Sequence, residues 1–256
     1  MEKLIIIKVG GAVLEDHATL DDFLNQFVAI QDKKILVHGG GRAATQLSNQ
    51  LGIETKMIDG RRITDADTIK VVTMVYGGLI NKNTVASLQS KGCNALGLTG
   101  VDMNLISAVK RPVGEIDYGM VGDVTIVNTF AFNLLVQAGF IPVIAPITHD
   151  NKGQLLNTNA DTIASSIAVS LADVYDVSLV YCFEKAGVLS DTNNDETVIP
   201  LLSFKMYQDY KNAGMIHSGM IPKLDNSFTA LQMGVGKVII TNAGTLNVSK
   251  GTHLSL

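Results

Sequence analysis

The chain has 256 residues, 46% of them hydrophobic and 17% charged, which is enough for one large α/β domain or two lobes and excludes disorder. A formal net charge of −4 with no basic stripe argues against a nucleic-acid partner. Cys93 and Cys182 lie in apolar runs and read as buried thiols of a reducing compartment. No apolar run nears the ~20 residues that span a bilayer, and the chain enters a strand at once without a leader, so a cytoplasmic protein with no membrane partner is expected.

Short β-branched runs alternate with longer amphipathic stretches. In chain order, strands are predicted at Leu4–Val9, Lys34–His38, Ala95–Thr99, Ile141–Ala145, Val177–Phe183 and Lys237–Thr241. Helices are predicted at about 18–31, 41–51, 65–91, 129–138, 160–172, 203–213 and 223–234. The alternation predicts an α/β chain, a three-layer αβα sandwich around a mainly parallel open sheet. The stretch 105–128, with Arg111-Pro112, Gly114, Gly119 and Gly122 among short alternating runs, predicts hairpins at the sheet edge. Thr64 is expected to cap the 65–91 helix, with Asp67 completing a capping box, and Gly77–Gly78 to bend it. If there are two lobes they share one sheet, with the boundary near 172–177.

Three glycine clusters follow predicted strands: Gly10-Gly11, Gly39-Gly40-Gly41, and Gly97 with Gly100. Beyond the carboxyl ends of parallel strands, glycine lets backbone N–H groups approach an anion, although it also serves plain tight turns. Gly39, Gly41 and Ala44 satisfy the dinucleotide pattern G-x-G-x-x-A, with Asp59 about 20 residues on. That reading, an NAD-dependent oxidoreductase, leaves Lys8 unexplained, because an earlier strand already ends in its own Gly-Gly turn. The chain has neither G-x-S-x-G nor G-x-x-x-x-G-K-[ST], which removes the esterase and Walker-type readings. Lys8 ending a strand, Asp161 in "NTNADT" after a possible Asn159 cap, and Lys223 in "SGMIPKLDNS" each have a bland explanation; together, beside anion-ready turns, they point to phosphate chemistry.

"IIIKVGGAV", "VHGGG" (37–41), "GRRIT" (60–64), "GQLLNTNAD" (153–161) and "GMIPKL" (219–224), with "INKNTV" and "ALGLTGVD" between them, occur in order along nearly the whole chain. In these the sequence resembles the amino acid kinase family, in its acyl-glutamate branch. The resemblance implies the amino acid kinase fold, with an acyl-glutamate-binding lobe over about 1–174 and an ATP-binding lobe over about 175–256. It implies ATP with Mg²⁺ as co-substrate, no dedicated protein metal site, and transfer to the γ-carboxylate of an N-acylglutamate, acetyl ahead of succinyl, early in arginine biosynthesis.

Carried over by position, Lys8 would stabilise the phosphoryl group in flight, Lys223 the leaving side, and Asp161 would hold both ammonium groups. Gly11 and Gly40, with Gly10, Gly39 and Gly41, would offer backbone N–H groups to the γ-phosphoryl. Arg62 and Asn159, beside Gly40 and Gly41, would grip the α-carboxylate end of the acceptor. Two departures stand out. The family often has Asp-x-x-Gly near the nucleotide where this chain has Glu184 and Lys185 before Gly187, and Arg42 adds a cation after the glycine triplet. The 65–91 helix carries more apolar residues than one face can bury, which predicts a homodimer. With no helix ahead of the first strand, the resemblance also predicts insensitivity to arginine.

Overall fold

The computed structural model describes residues 1–58, 61–191, 194, 196–216, 220–246 and 251–256. Asp59, Gly60 of "GRRIT" and Gly219 of "GMIPKL" lie outside the described residues.

The chain runs β1 (Lys3–Val9), α1 (Gly11–Glu15), α2 (His17–Ala29), β2 (Lys33–His38), α3 (Gly41–Gln50), β3 (Met57–Ile58), β4 (Arg61–Arg62) and α4 (Ala66–Val72). A π-helical stretch, Thr73–Ile80, joins α4 to α5 (Asn81–Ser90). Then follow β5 (Ala95–Thr99), β6 (Ile106–Lys110), β7 (Gly122–Val127), α6 (Thr129–Gln137), β8 (Ile141–Ala145), β9 (Ile147–His149), β10 (Leu155–Asn157) and α7 (Ala160–Leu171). The last part holds β11 (Asp176–Phe183), β12 (Leu201–Ser203), α8 (Phe204–Asn212), α9 (Ile221–Gln232), β13 (Lys237–Asn242) and β14 (Thr252–Ser255). All six expected strands and seven expected helices are present, within two residues at nearly every end.

Two compact units divide the chain: Met1–Lys34 with Ala164–Leu256, and Ile35–Ile163. In the first, strands run in the order β12-β14-β13-β11-β1, every pairing parallel except β13 with β14. Its inner strands are buried on both sides, as a parallel sheet covered by helices requires: Leu4, Ile6, Ile7 and Val9 of β1 and Leu179, Val180, Tyr181 and Cys182 of β11 are fully shielded. The amphipathic α2 buries Phe23, Leu24 and Phe27. Its C-terminal carbonyls receive the Lys34 ammonium, which donates to Phe27, Val28 and Ile30 oxygens at 2.9, 3.0 and 2.7 Å. A cation at the negative end of a helix supplies the donors that its last turn lacks.

In the second unit, β2-β8-β5 are all parallel. The residues 105–128 do form an antiparallel pair, β6 with β7, but not at the edge of that sheet: they belong to a separate four-stranded sheet, β10-β9-β6-β7, with a bulge at Ser107/Ala108. Strands β9 and β10 are three residues each, too short to show a period in sequence. The 65–91 helix is continuous, and its centre, Gly77–Gly78 included, is π-helical. Thr64 is not its cap. Asp65 is, its carboxylate accepting from the N–H of Asp67 (3.2 Å) and of Thr68 (2.8 Å). Thr64 is held in a bridge to Gly119 instead, which removes it from the helix start.

Candidate active site

Lys8 comes out of β1 opposite Tyr181 of β11 in the parallel register. Side chains two apart on a strand share a face, so Tyr181 and Phe183 lie on the face from which Lys8 projects. The Lys8 ammonium stands 5.1 Å from the Phe183 ring centroid, and the side chain is only 7% exposed. Lys223, in the first turn of α9, brings its ammonium to 4.5 Å from the same centroid. Helix α9 is fixed where this requires. The Tyr207 hydroxyl of α8 donates to Asp225 at 2.6 Å, Lys211 donates to both Asp225 oxygens at 3.0 Å, and Phe228 packs against Phe204 and Tyr207. The structure therefore brings together the two lysines that the sequence singles out.

The turn after β1 is set by Gly10, whose N–H donates to the Cys182 carbonyl at 3.2 Å. No side chain caps α1, which begins at Gly11. Phe183 and Glu184, with Val13 and Asn242 among others, line a cleft of about 270 Å³ in the same unit. The Cys182 thiol is buried, which pushes its pKa up to about 12 despite the nearby Lys8.

In the other unit the triplet Gly39–Gly41 joins β2 to α3, and again no side chain caps the helix. A Cβ at Gly40 would run into Ile80 Cδ1 and come within 2.9 Å of Tyr76 Cδ1, so the backbone can lie against the π-helical turn only as glycine. Arg62 is buried beside it. Its Nη2 donates to the Gly41 carbonyl (2.7 Å) and Thr45 Oγ1 (2.8 Å), and its Nη1 to Thr55 Oγ1 (3.3 Å). Three guanidinium donors are thus spent on fixing the fork against the start of α3. Burial raises the Tyr76 phenol above its usual value, opposed by the Arg62 charge. Asn159 caps α7, its Oδ1 accepting from the N–H groups of Asp161 (2.8 Å) and Thr162 (3.1 Å), and Asp161 is buried in that first turn. Arg42 is exposed on α3.

His38 and Asn81 were invisible as site residues in sequence, although both sit in quoted motifs. His38 is fully buried, with Nδ1 2.9 Å from the Gly39 carbonyl and Nε2 3.1 Å from Asn81 Nδ2. A carbonyl can only accept, so Nδ1 carries the proton, and Nε2 takes one amide hydrogen of Asn81. The other amide hydrogen goes to the Val143 carbonyl at 2.9 Å. Lys82 donates to Asn81 Oδ1 (3.1 Å) and the Gly97 carbonyl (2.9 Å), so a chain of bonds runs from β5 to the first glycine of the triplet. The third glycine cluster is tightly enclosed. A Cβ on Gly97 would meet Asn81 Oδ1 and Lys82 Nζ, and one on Gly100 the carbonyls of Ile106 and Ile147, so both glycines are there for packing. Among the described residues no group of three or more His, Cys, Asp or Glu could hold a metal ion.

Residues 3–242 match the family model described as the amino acid kinase family. The chain belongs to the amino acid kinase family. It is 59% identical to the acetylglutamate kinase of Phocaeicola vulgatus, covering 98% of each chain, and 57% identical to that of Bacteroides fragilis, covering 99% of this chain and 97% of the relative. A solved structure of a Streptococcus mutans protein superposes with a TM-score of 0.83 at 28% identity, over 98% of both chains. Membership of this family removes the NAD-dependent oxidoreductase reading of the Gly39–Ala44 stretch.

The buried His38 generates a pH prediction. Burial, aided by Lys82 and opposed by the bond to Gly39, lowers its pKa from 6.5 to about 4. The folded state thus favours the neutral ring. The stabilisation is complete above the unfolded value of 6.5 and is lost as pH falls toward 4, because the unfolded chain binds the extra proton first. The loss amounts to about 3 kcal/mol. Urea unfolding midpoints between pH 6.5 and 4 should fall more steeply for the wild type than for His38→Asn. Parallel slopes would mean that His38 does not titrate this way.

Proposed function

We infer that this chain transfers the γ-phosphoryl group of ATP to the γ-carboxylate of N-acetyl-L-glutamate, giving N-acetyl-L-glutamyl 5-phosphate, an early step of arginine biosynthesis. The observation that carries the reading is the gathering of Lys8 and Lys223 on one ring, in a chain 59% identical over its length to an acetylglutamate kinase.

The chemistry asks little of acid–base groups. The acceptor carboxylate is ionised at neutral pH, so no general base is needed. One carboxylate oxygen attacks the γ-phosphorus, the bond to the β,γ-bridging oxygen breaks, and ADP leaves with that electron pair. The obstacle is charge, and catalysis is positioning and electrostatic stabilisation. We assign Lys8 to the phosphoryl group in flight and Lys223 to the charge developing on the β-phosphate side, with Asp161 as organiser of the pair. Gly11 and Gly40, at the starts of helices that no side chain caps, would present N–H groups to the γ-phosphoryl, with Gly10, Gly39 and Gly41 shaping the turns. Gly10 would act by shape alone, its N–H being bound to Cys182. Mg²⁺ would arrive with the triphosphate and offset its charge. That fits a chain rich in phosphate-directed donors and without a cluster of carboxylates among its described residues.

Arg62 and Asn159 would take the α-carboxylate end of the acceptor. Asn159 spends its oxygen on the helix cap, which leaves its N–H₂ group as the end suited to a carboxylate. Arg62 enters the reaction already oriented, since three of its bonds are internal. We place the enzyme in the cytoplasm; among the described residues no helix is long and apolar enough to cross a membrane. We also propose a homodimer built on the π-helical segment, where Met74 and Leu79 remain 52% and 57% exposed.

A coupled ADP-release assay with N-acetylglutamate, N-succinylglutamate, glutamate and aspartate tests the reaction, and a clear preference for another acceptor would overturn it. Lys8→Ala and Lys223→Ala should each lower kcat by roughly two to three orders of magnitude with the fold intact by circular dichroism, the usual loss for a donor aimed at a transition state. Near-normal turnover in either would remove it from the chemistry. Arg62→Lys, which keeps the charge but not the fork, should raise KM for the acceptor far more than for ATP. An equal rise in both would place Arg62 elsewhere. Light scattering should give a dimer mass for the wild type and a monomer mass for Met74→Glu/Leu79→Glu; a dimer in both would move the interface.

A further inference from the structure

No motif draws Phe183 into the reaction, yet both lysines touch it. Its ring centroid is 5.1 Å from Lys8 Nζ and 4.5 Å from Lys223 Nζ, inside the ~6 Å range over which an aromatic face attracts a cation. The ring is backed by Tyr181, fully buried and nearly parallel to it at 6° with centroids 6.1 Å apart. The strand register places Tyr181 beside Lys8 and Phe183 one step further along the same face, toward the strand end. Lys223 arrives on a separate helix that Asp225 anchors.

We propose that Phe183 is a positioning residue for the two ammonium groups, an uncharged platform that holds them close without cancelling their charge. The proposal rests on the kinase reading above. A ring's quadrupole attracts a cation through its negative face and adds no net charge of its own, so it can orient both ammonium groups by shape and face. The ring has only two torsions and lies nearly parallel to the buried Tyr181, so the ammonium groups it faces are oriented before substrate arrives.

The test replaces Phe183 by leucine, which keeps apolar bulk, and by phenylalanines of increasing fluorination, which keep shape while draining the quadrupole. The kcat should fall stepwise with fluorination, about ten-fold at pentafluorophenylalanine, with acceptor KM unchanged. Phe183→Leu should behave like the pentafluoro form. The side-chain methylene proton signals next to Nζ of Lys8 and Lys223, assigned by Lys→Arg loss, should be shifted upfield by the ring in the wild type and relax in Phe183→Leu. A pentafluoro enzyme with kcat within about two-fold of wild type, or lysine signals unmoved by Phe183→Leu, overturns the proposal. ADP release by the wild type decides the kinase reading separately; if it fails, the lysine signals still decide whether Phe183 holds the pair.

Discussion

Two like charges are held against one aromatic ring. The distances of Lys8 and Lys223 to one centroid limit their separation to about 10 Å. At an effective dielectric near 20, that proximity costs at least about 1.7 kcal/mol of mutual repulsion. Two cation–ring contacts, at ~0.5–2 kcal/mol each, are of the size needed to offset it.

Much of the first unit serves that geometry. Parallel pairing of β1 with β11 runs in register from Lys3↔Asp176 to Val9↔Cys182, and a slip of one residue would turn Lys8 to the opposite face from Phe183. Leu4, Ile6 and Ile7 are wholly enclosed on both faces, so the apolar run alone does not choose the register. The Gly10 N–H on the Cys182 carbonyl extends the ladder one step past the strand and fixes its carboxyl end. The pairing register thus aims the lysine.

Legibility in the sequence followed length and repetition. The six strands of five residues or more that alternate with helices were readable, because each is a continuous apolar run between punctuating residues. The three-residue β9, β10 and β12 and the two-residue β3 and β4 were not, since no period can be seen in so few positions; their pairing is decided by neighbours distant in sequence. The cap at Thr64 was misread by one residue because Thr and Asp are both good caps, and only the bridge to Gly119 decides between them. The lysines and the glycine triplet stood out because their residue types are anomalous where they stand, whereas Arg62 was singled out only by the family resemblance carried by "GRRIT". Phe183, His38 and Asn81 were not, since an aromatic ending a strand, a histidine in a buried run and an asparagine in a helix each have ordinary explanations. Their significance is relational, in a centroid distance or in a filled set of hydrogen bonds.

The glycines make the same point about what a residue type can reveal. Gly40 and Gly97 look alike in sequence, each near the end of a parallel strand. Space for a Cβ separates neither from the other: one would strike Ile80 and Tyr76, the other Asn81 and Lys82. What differs is the neighbour's purpose. The Asn81 and Lys82 that exclude a side chain at Gly97 belong to the chain of bonds that ends on His38 and the Gly39 carbonyl, so the packing glycine on β5 admits the groups that orient the glycine turn after β2. The two glycine clusters are coupled through Asn81, whose amide has both hydrogens and its oxygen engaged. A larger residue at Gly97 would therefore act at the glycine triplet without touching it, by displacing the one side chain that satisfies a buried neutral histidine.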